Sequence, residues 1–191
     1  MRKLKLQVQM TVDGFIAGPN GQMDWVNPNW DDDLNQYVDD LMETVDLIVL
    51  GRVLAQGFIP YWASVATDAE NPEQASGKLF TETPKIVFTK TLDSAEWQNA
   101  ALAKGDLVDE VTQLKAQDGQ DIIAYGGATF VSALIKNRLV DELNLFVNPV
   151  AIGSGMPIFA ELESNLALQL VELKGFECGI VVLKYKSAAP A

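Results

Sequence analysis

Leu4, Leu6, Val8 and Met10 alternate with polar residues over 3–10, a two-residue period that predicts a β-strand. Asp13-Gly14 and Gly18-Pro19-Asn20-Gly21 then mark a loop that runs to about Trp30. Leu34, Tyr37, Val38, Leu41 and Met42 recur at helical spacing behind Asp31, Asp32 and Asp33, so a helix starts at these acids. The run 46–51 predicts a buried strand ending in glycine, followed by a short helix from Arg52. Residues 60–76 are polar and irregular, with a helix expected around 72–79. A strand over 85–89 and an amphipathic helix over 107–116 follow. Asp121 to Tyr125 predicts another buried strand, and a helical pattern resumes directly after Gly126-Gly127. Residues 140–152 alternate again, Gly153-Ser154-Gly155 makes a bend, and 166–174 and 179–186 predict an antiparallel hairpin before a frayed tail, 187–191.

Strands and helices alternate first, and strands dominate the end. This order predicts an α/β fold with a mostly parallel central sheet, helices on both faces and antiparallel strands at one edge. Ligands in such sheets bind beyond the carboxyl ends of the parallel strands, which draws together Gly51-Arg52, Thr89-Lys90 and Gly126-Gly127. A strand, a turn without side chains and a helix N-terminus aim backbone N–H groups at an anion such as phosphate. Gly126-Gly127 has that form, although a tight connection has it too. The segment lacks the full G-x-G-x-x-G spacing and the P-loop lysine.

Composition narrows the chemistry. A chain of 191 residues, 48% hydrophobic and 21% charged, fits one soluble domain over 1–191. No apolar run approaches the roughly 20 residues of a membrane span, and the N-terminus has no signal-peptide pattern. The lone Cys178 excludes an internal disulfide and fits a reducing cytoplasm; it is expected in a strand of the closing hairpin, as a buried, inert thiol. A net charge of -12 argues against nonspecific nucleic-acid binding. The absence of histidine excludes Ser-His-Asp and Cys-His nucleophiles and histidine-bound zinc, so no metal is expected. Proton transfer falls to carboxylates, Tyr, Lys or water.

Three blocks resemble a known family. They are Met10-Thr11-Val12-Asp13-Gly14-Phe15-Ile16-Ala17 with Gly21 and Trp25, then Val45 to Arg52, and then Tyr125-Gly126-Gly127-Ala128-Thr129 followed by Leu139 to Leu143, Pro149, Gly153, Gly155 and Pro157-Ile158-Phe159. Together they resemble the dihydrofolate-reductase-like family, on the branch of the reductase domain of the bifunctional riboflavin-biosynthesis deaminase–reductase and its stand-alone relatives. The resemblance implies a three-layer α/β/α sandwich and an NADPH-dependent reductase. The substrate would be a small heterocycle or an aminopyrimidine bearing a ribose-derived chain, and homodimers are common in the branch. A pterin or dihydrofolate reductase is an alternative. A non-catalytic nucleotide-binding or dimeric interaction protein on the same fold is another.

The resemblance also assigns residues. Gly126, Gly127, Ala128 and Thr129 match the diphosphate-binding turn. Thr89 and Lys90 stand where such enzymes meet the adenosine 2′-phosphate, or Lys90 is a solvated surface lysine. Gly51 and Arg52 match a cofactor-phosphate position, although Leu54 replaces a threonine common in the family. Ile16 and Ala17 match the nicotinamide slot, and plain core packing accounts for them equally. Asp13 turns the loop, and Trp25 covers the pocket or packs the core. Asp31 and Asp33 are the candidate catalytic carboxylates, since folate-type reductases place an acid here; capping of the helix is the competing role. An acidic patch with Asp24 suits a neutral or cationic heterocycle and opposes a ribose phosphate.

Overall fold

The computed structural model describes residues 1–187. Ten strands and five helices follow one another as β1 Leu4–Thr11, β2 Phe15–Ala17, α1 Asp32–Met42, β3 Val45–Gly51, α2 Arg52–Thr67, α3 Gln74–Glu82, β4 Lys85–Phe88, β5 Ala100–Ala103, α4 Leu107–Ala116, β6 Asp121–Tyr125, α5 Ala128–Lys136, β7 Glu142–Asn148, β8 Met156–Pro157, β9 Leu168–Gly175 and β10 Val181–Ser187. Eight strands form one sheet in the order β5-β4-β3-β6-β1-β7-β10-β9, and β2 pairs with β8 beside it. The six strands from β5 to β7 are parallel; β10 runs antiparallel to β7, and β9 antiparallel to β10. Of the expected tail, Ser187 closes β10 and 188–191 lie outside the described residues.

Two apolar layers cover the sheet. Leu4, Leu6, Val8 and Met10 of β1 pack with Val111 and Leu114 of α4 and Val131, Leu134 and Ile135 of α5. On the opposite face Ile48 and Leu50 of β3 meet Leu41 and Met42 of α1, Ala55 and Ile59 of α2 and Phe80 of α3. The arrangement is the expected three-layer sandwich. Truncating one of these residues, Leu134 for example, would cost about 2–5 kcal/mol.

Two local expectations are corrected, for α2 and for Cys178, and one strand, β5, is added. Helix α2 does not stop before Pro60 but continues to Thr67. Leu54, Phe58, Ile59, Trp62 and Val65 keep one apolar face beyond the proline, and tertiary packing outweighs the lost hydrogen bond. Strand β5, four residues rich in alanine, carries almost no intrinsic strand signal and exists because it pairs with β4. Cys178 lies in the turn between β9 and β10, half-buried, and not in a strand.

Candidate active site

Chain connectivity makes the crevice. Strands β3 and β6 are neighbours, with Leu50 paired to Tyr125. The helix after β3 packs on one face of the sheet and the helix after β6 on the other. The two helix starts therefore diverge beyond the carboxyl ends of adjacent strands, the topological position at which open α/β sheets bind ligands. Strand β4 lies next to β3, so Thr89 borders the same edge.

Both helix starts are bare. Gly51 caps α2 and Gly127 caps α5, and neither supplies a side-chain hydrogen bond. In α5 the first intrahelical bond runs from Val131 N to Gly127 O at 3.1 Å, leaving the N–H groups of Ala128, Thr129 and Phe130 ahead of the ladder. These donors and the positive end of the helix dipole face outward from the sheet edge. The glycines beside them differ in surroundings. A Cβ on Gly51 would lie 2.9 Å from Phe130 Cβ, and one on Gly126 would lie 2.5 Å from Phe130 Cδ1. A Cβ on Gly127 would meet nothing within 4 Å. Gly51 and Gly126 thus make room for the Phe130 ring, and Gly127 opens onto free space.

The remaining candidates separate into those at the crevice and those that build its walls. Arg52 opens α2, half-buried, with Nη1 3.5 Å from Gln56 Oε1. Thr89 is buried, and its hydroxyl oxygen accepts from Thr91 N and Leu92 N, both at 3.1 Å. Lys90 Nζ donates to the carbonyls of Lys104 at 2.7 Å and Gly105 at 2.5 Å, which ties the exit of β4 to the exit of β5. Ile16 is a core residue of the main apolar cluster, and Ala17 is buried in β2. Asp13 accepts from Gly153 N at 2.7 Å and Ile152 N at 3.1 Å, clamping the loop after β1 to the bend that follows β7. The Thr11 hydroxyl and these two amides hold its carboxyl below the ordinary range.

Asp31 has a defined structural task. It caps α1, accepting from Leu34 N at 2.8 Å through one oxygen and from Cys178 N at 2.9 Å through the other. These backbone donors hold its carboxyl low. Asp33 is exposed in the first turn of α1, and Asp24 is exposed in the preceding loop. Trp25 lies in that loop two residues before Asn27, which is stapled to the carboxyl end of β7 through Asn27 N to Asn148 Oδ1 at 3.1 Å. The Trp25 indole nitrogen is buried without a hydrogen-bond partner.

A set of buried amides escaped sequence reasoning. Lys5, Gln7, Gln9 and Thr11 read as the wet side of a strand, yet β1 lies near the centre of the sheet and three of the four are buried. Tyr125 Oη donates to Gln7 Oε1 at 2.8 Å, and Asn148 Nδ2 donates to Gln9 Oε1 at 2.8 Å. Burial pushes the Tyr125 phenol far above its ordinary value, so it stays protonated at neutral pH. The available signal was positional: central parallel strands are normally apolar on both faces, and polar alternation in one marks a polar interior.

A mostly parallel sheet with antiparallel edge strands, helices on both faces and a crevice between diverging helix starts defines a dihydrofolate-reductase-like α/β fold. Dihydrofolate reductase from Enterococcus faecalis, solved in complex with NADP(H), superposes with a TM-score of 0.58 at 18% identity over 98% of this chain and 97% of that one. More particularly, residues 2–182 match the RibD C-terminal domain, and the chain belongs to that family. The protein YyaP of Bacillus subtilis is 33% identical over 186 residues, covering 96% of this chain and 94% of that one. The diaminohydroxyphosphoribosylaminopyrimidine deaminase/5-amino-6-(5-phosphoribosylamino)uracil reductase of Thermotoga maritima has a TM-score of 0.69 at 19% identity, over 98% of this chain and 57% of that one. The family is of the reductase type found in riboflavin biosynthesis.

Proposed function

We propose that this protein is a cytoplasmic NADPH-dependent reductase acting on an aminopyrimidine with a ribose-derived chain or a closely similar small heterocycle. One observation carries the reading: the bare N-terminus of α5, with Gly127 facing open space, beside the equally uncapped start of α2. The donor set suits a diphosphate, because unpaired N–H groups and two helix dipoles offer positive potential within a chain of net charge -12. Ala128 and Thr129 would hold the diphosphate with Gly126 and Gly127, while Arg52 and Gly51 would support it from the other helix. Thr89 and Lys90 would border the adenosine end. Ile16 and Ala17 would line the slot for the ring that, when bound, supplies the hydride. The chain itself binds, orients and excludes water; Asp13 and Trp25 shape the substrate side.

The aminopyrimidine reading is favoured over a pterin by Asp31. An acid that both caps a helix and accepts from Cys178 N has each oxygen engaged, which leaves it poorly suited to pair with a pterin. Buried Gln7 and Asn148 with half-buried Gln9 supply neutral donors and acceptors for a lactam edge instead. The Thermotoga relative's uracil reductase activity points the same way.

A homodimer is part of the proposal. Strand β9 is the unpaired edge of the large sheet and exposes Leu170, Val171 and Leu173. Antiparallel pairing of two β9 strands about Leu173 sets each copy's Glu172 against the other's Lys174, a self-complementary register.

Titration with NADPH and NADH, followed by quenching of tryptophan fluorescence, tests cofactor binding. Oxidation of NADPH is then followed with 5-amino-6-(5-phosphoribosylamino)uracil and with dihydrofolate. Turnover of the uracil supports the proposal; binding of neither nucleotide overturns it in favour of a non-catalytic interaction protein. Gly127→Asp introduces a carboxylate onto the helix start without backbone strain, since Gly127 has a φ of -72°. Losing two charge-assisted contacts of about 1.5 kcal/mol each would weaken NADPH binding at least about 100-fold.

A further inference from the structure

At the end of the sheet opposite the crevice, Lys85 opens β4 almost completely buried, 2% exposed. Its Nζ donates to Thr83 O at 2.6 Å and Thr81 O at 3.0 Å, the carbonyls at the end of α3. Two of its three hydrogens are thereby placed, and no carboxylate among the described residues pairs with it. The Thr81 hydroxyl beside it is also buried and has no hydrogen-bond partner. Both residues line one cavity of about 240 Å³, walled by Ile59, Pro60, Ala63 and Trp97. Exposed Glu96 and Gln98 stand at its mouth.

A buried ammonium with a spare hydrogen and an orphaned hydroxyl are costly features unless something accepts from them. Burial without a counter-charge already lowers the Lys85 pKa to about 8. We infer that this cavity is a second binding site, separate from the crevice, for a small monocarboxylic acid with an apolar or aromatic body. One carboxylate oxygen takes the free hydrogen of Lys85 and the other takes the Thr81 hydroxyl. The body lies between Ile59, Pro60, Ala63 and Trp97. The volume equals roughly eight waters, at ~30 Å³ each, and so admits a molecule the size of benzoate. Glu96 at the entrance disfavours di- and trianions, which argues for a single carboxylate over a phosphate. Along β4, Lys85 and Thr89 are four steps or about 13 Å apart at ~3.3 Å per residue, enough to keep such a ligand clear of Thr89.

Sodium benzoate is the probe. Calorimetry on the whole protein should show one site per chain, unaffected by saturating NADPH. Thr81→Val, which keeps the side-chain shape, should bind benzoate about tenfold more weakly, the loss of one hydrogen bond to a charged group. Lys85→Met should abolish binding. Should Lys85→Met fail to fold, Thr81→Val and nuclear Overhauser contacts between benzoate ring protons and the Trp97 indole decide the matter. Benzyl alcohol should not bind. Absence of benzoate binding, unchanged affinity in Thr81→Val, competition by NADPH or missing Trp97 contacts would each overturn the inference.

Discussion

The two glycine turns at the crevice, Gly51-Arg52 and Gly126-Gly127, look alike in sequence and differ in cause. Each ends a parallel strand, starts a helix and lacks a capping side chain. At Gly51 the missing Cβ is occupied by Phe130, a residue of the other turn's helix, and Gly126 faces the same ring. Gly127 alone faces open space. A glycine can therefore be demanded by packing or leave access to a ligand, and neighbours decide which. The lesson bears on Leu54 as well. It stands where the resemblance places a threonine hydroxyl, and its side chain packs with the α2 core, so in the proposed site that helix would offer its dipole and Arg52 in place of a side-chain hydroxyl at position 54.

The contrast can be broken at several points. The largest effect is expected from Phe130→Ala, about 3 kcal/mol of stability by chemical denaturation, because the ring fills the space of two glycines. Gly51→Ala should cost about 1–3 kcal/mol through overpacking against Phe130 Cβ, whereas Gly127→Ser should change stability by a few tenths of a kcal/mol, in the stabilising direction, by capping α5. In the Phe130→Ala background a Gly126→Ala penalty should shrink, because the Phe130 Cδ1 that lies 2.5 Å from the added Cβ is gone, whereas the Gly51→Ala penalty should persist against the remaining Cβ at 2.9 Å; additive penalties at Gly126 would show that the Phe130 ring is not the reason for that glycine. Arg52→Gln should weaken NADPH about threefold and flatten the salt dependence of binding, with stability unchanged.

The smallest effect serves as a control outside both turns. Asp13 is held below its ordinary 3.8 in the folded state by the Thr11 hydroxyl and by the amides of Gly153 and Ile152. A depressed carboxyl contributes stability that is fully present above its unfolded value and lost as pH falls through the folded one. Asp13→Asn should therefore soften the acid limb of the melting-temperature profile below about pH 4 while leaving NADPH affinity at neutral pH intact.

Much of the architecture was legible because it rests on local periodicity. The strand at 121–125, the helix after Gly127 and the closing hairpin come from short-range patterns of burial. The extent of α2 was legible in principle, since its apolar spacing continues past Pro60 to Trp62 and Val65, although 60–76 as a whole reads as polar and irregular. Capping of α1 by Asp31 was legible as one of its two readings, whereas its second bond and the role of Lys90 were not. Each depends on partners outside its own element, Cys178 for one and the Lys104-Gly105 carbonyls for the other.

Taken alone, the order of residues determined the alternation of strands and helices, the bare turns at the strand ends and the exclusion of histidine chemistry, because each depends only on neighbours or on composition. Tertiary structure decided that β1 sits inside the sheet with Gln7 buried, that Phe130 accounts for two glycines while the third faces open space, and that Cys178 N takes the second oxygen of Asp31. Those outcomes depend on which segments distant in sequence come to meet, and no local pattern encodes which surfaces will touch.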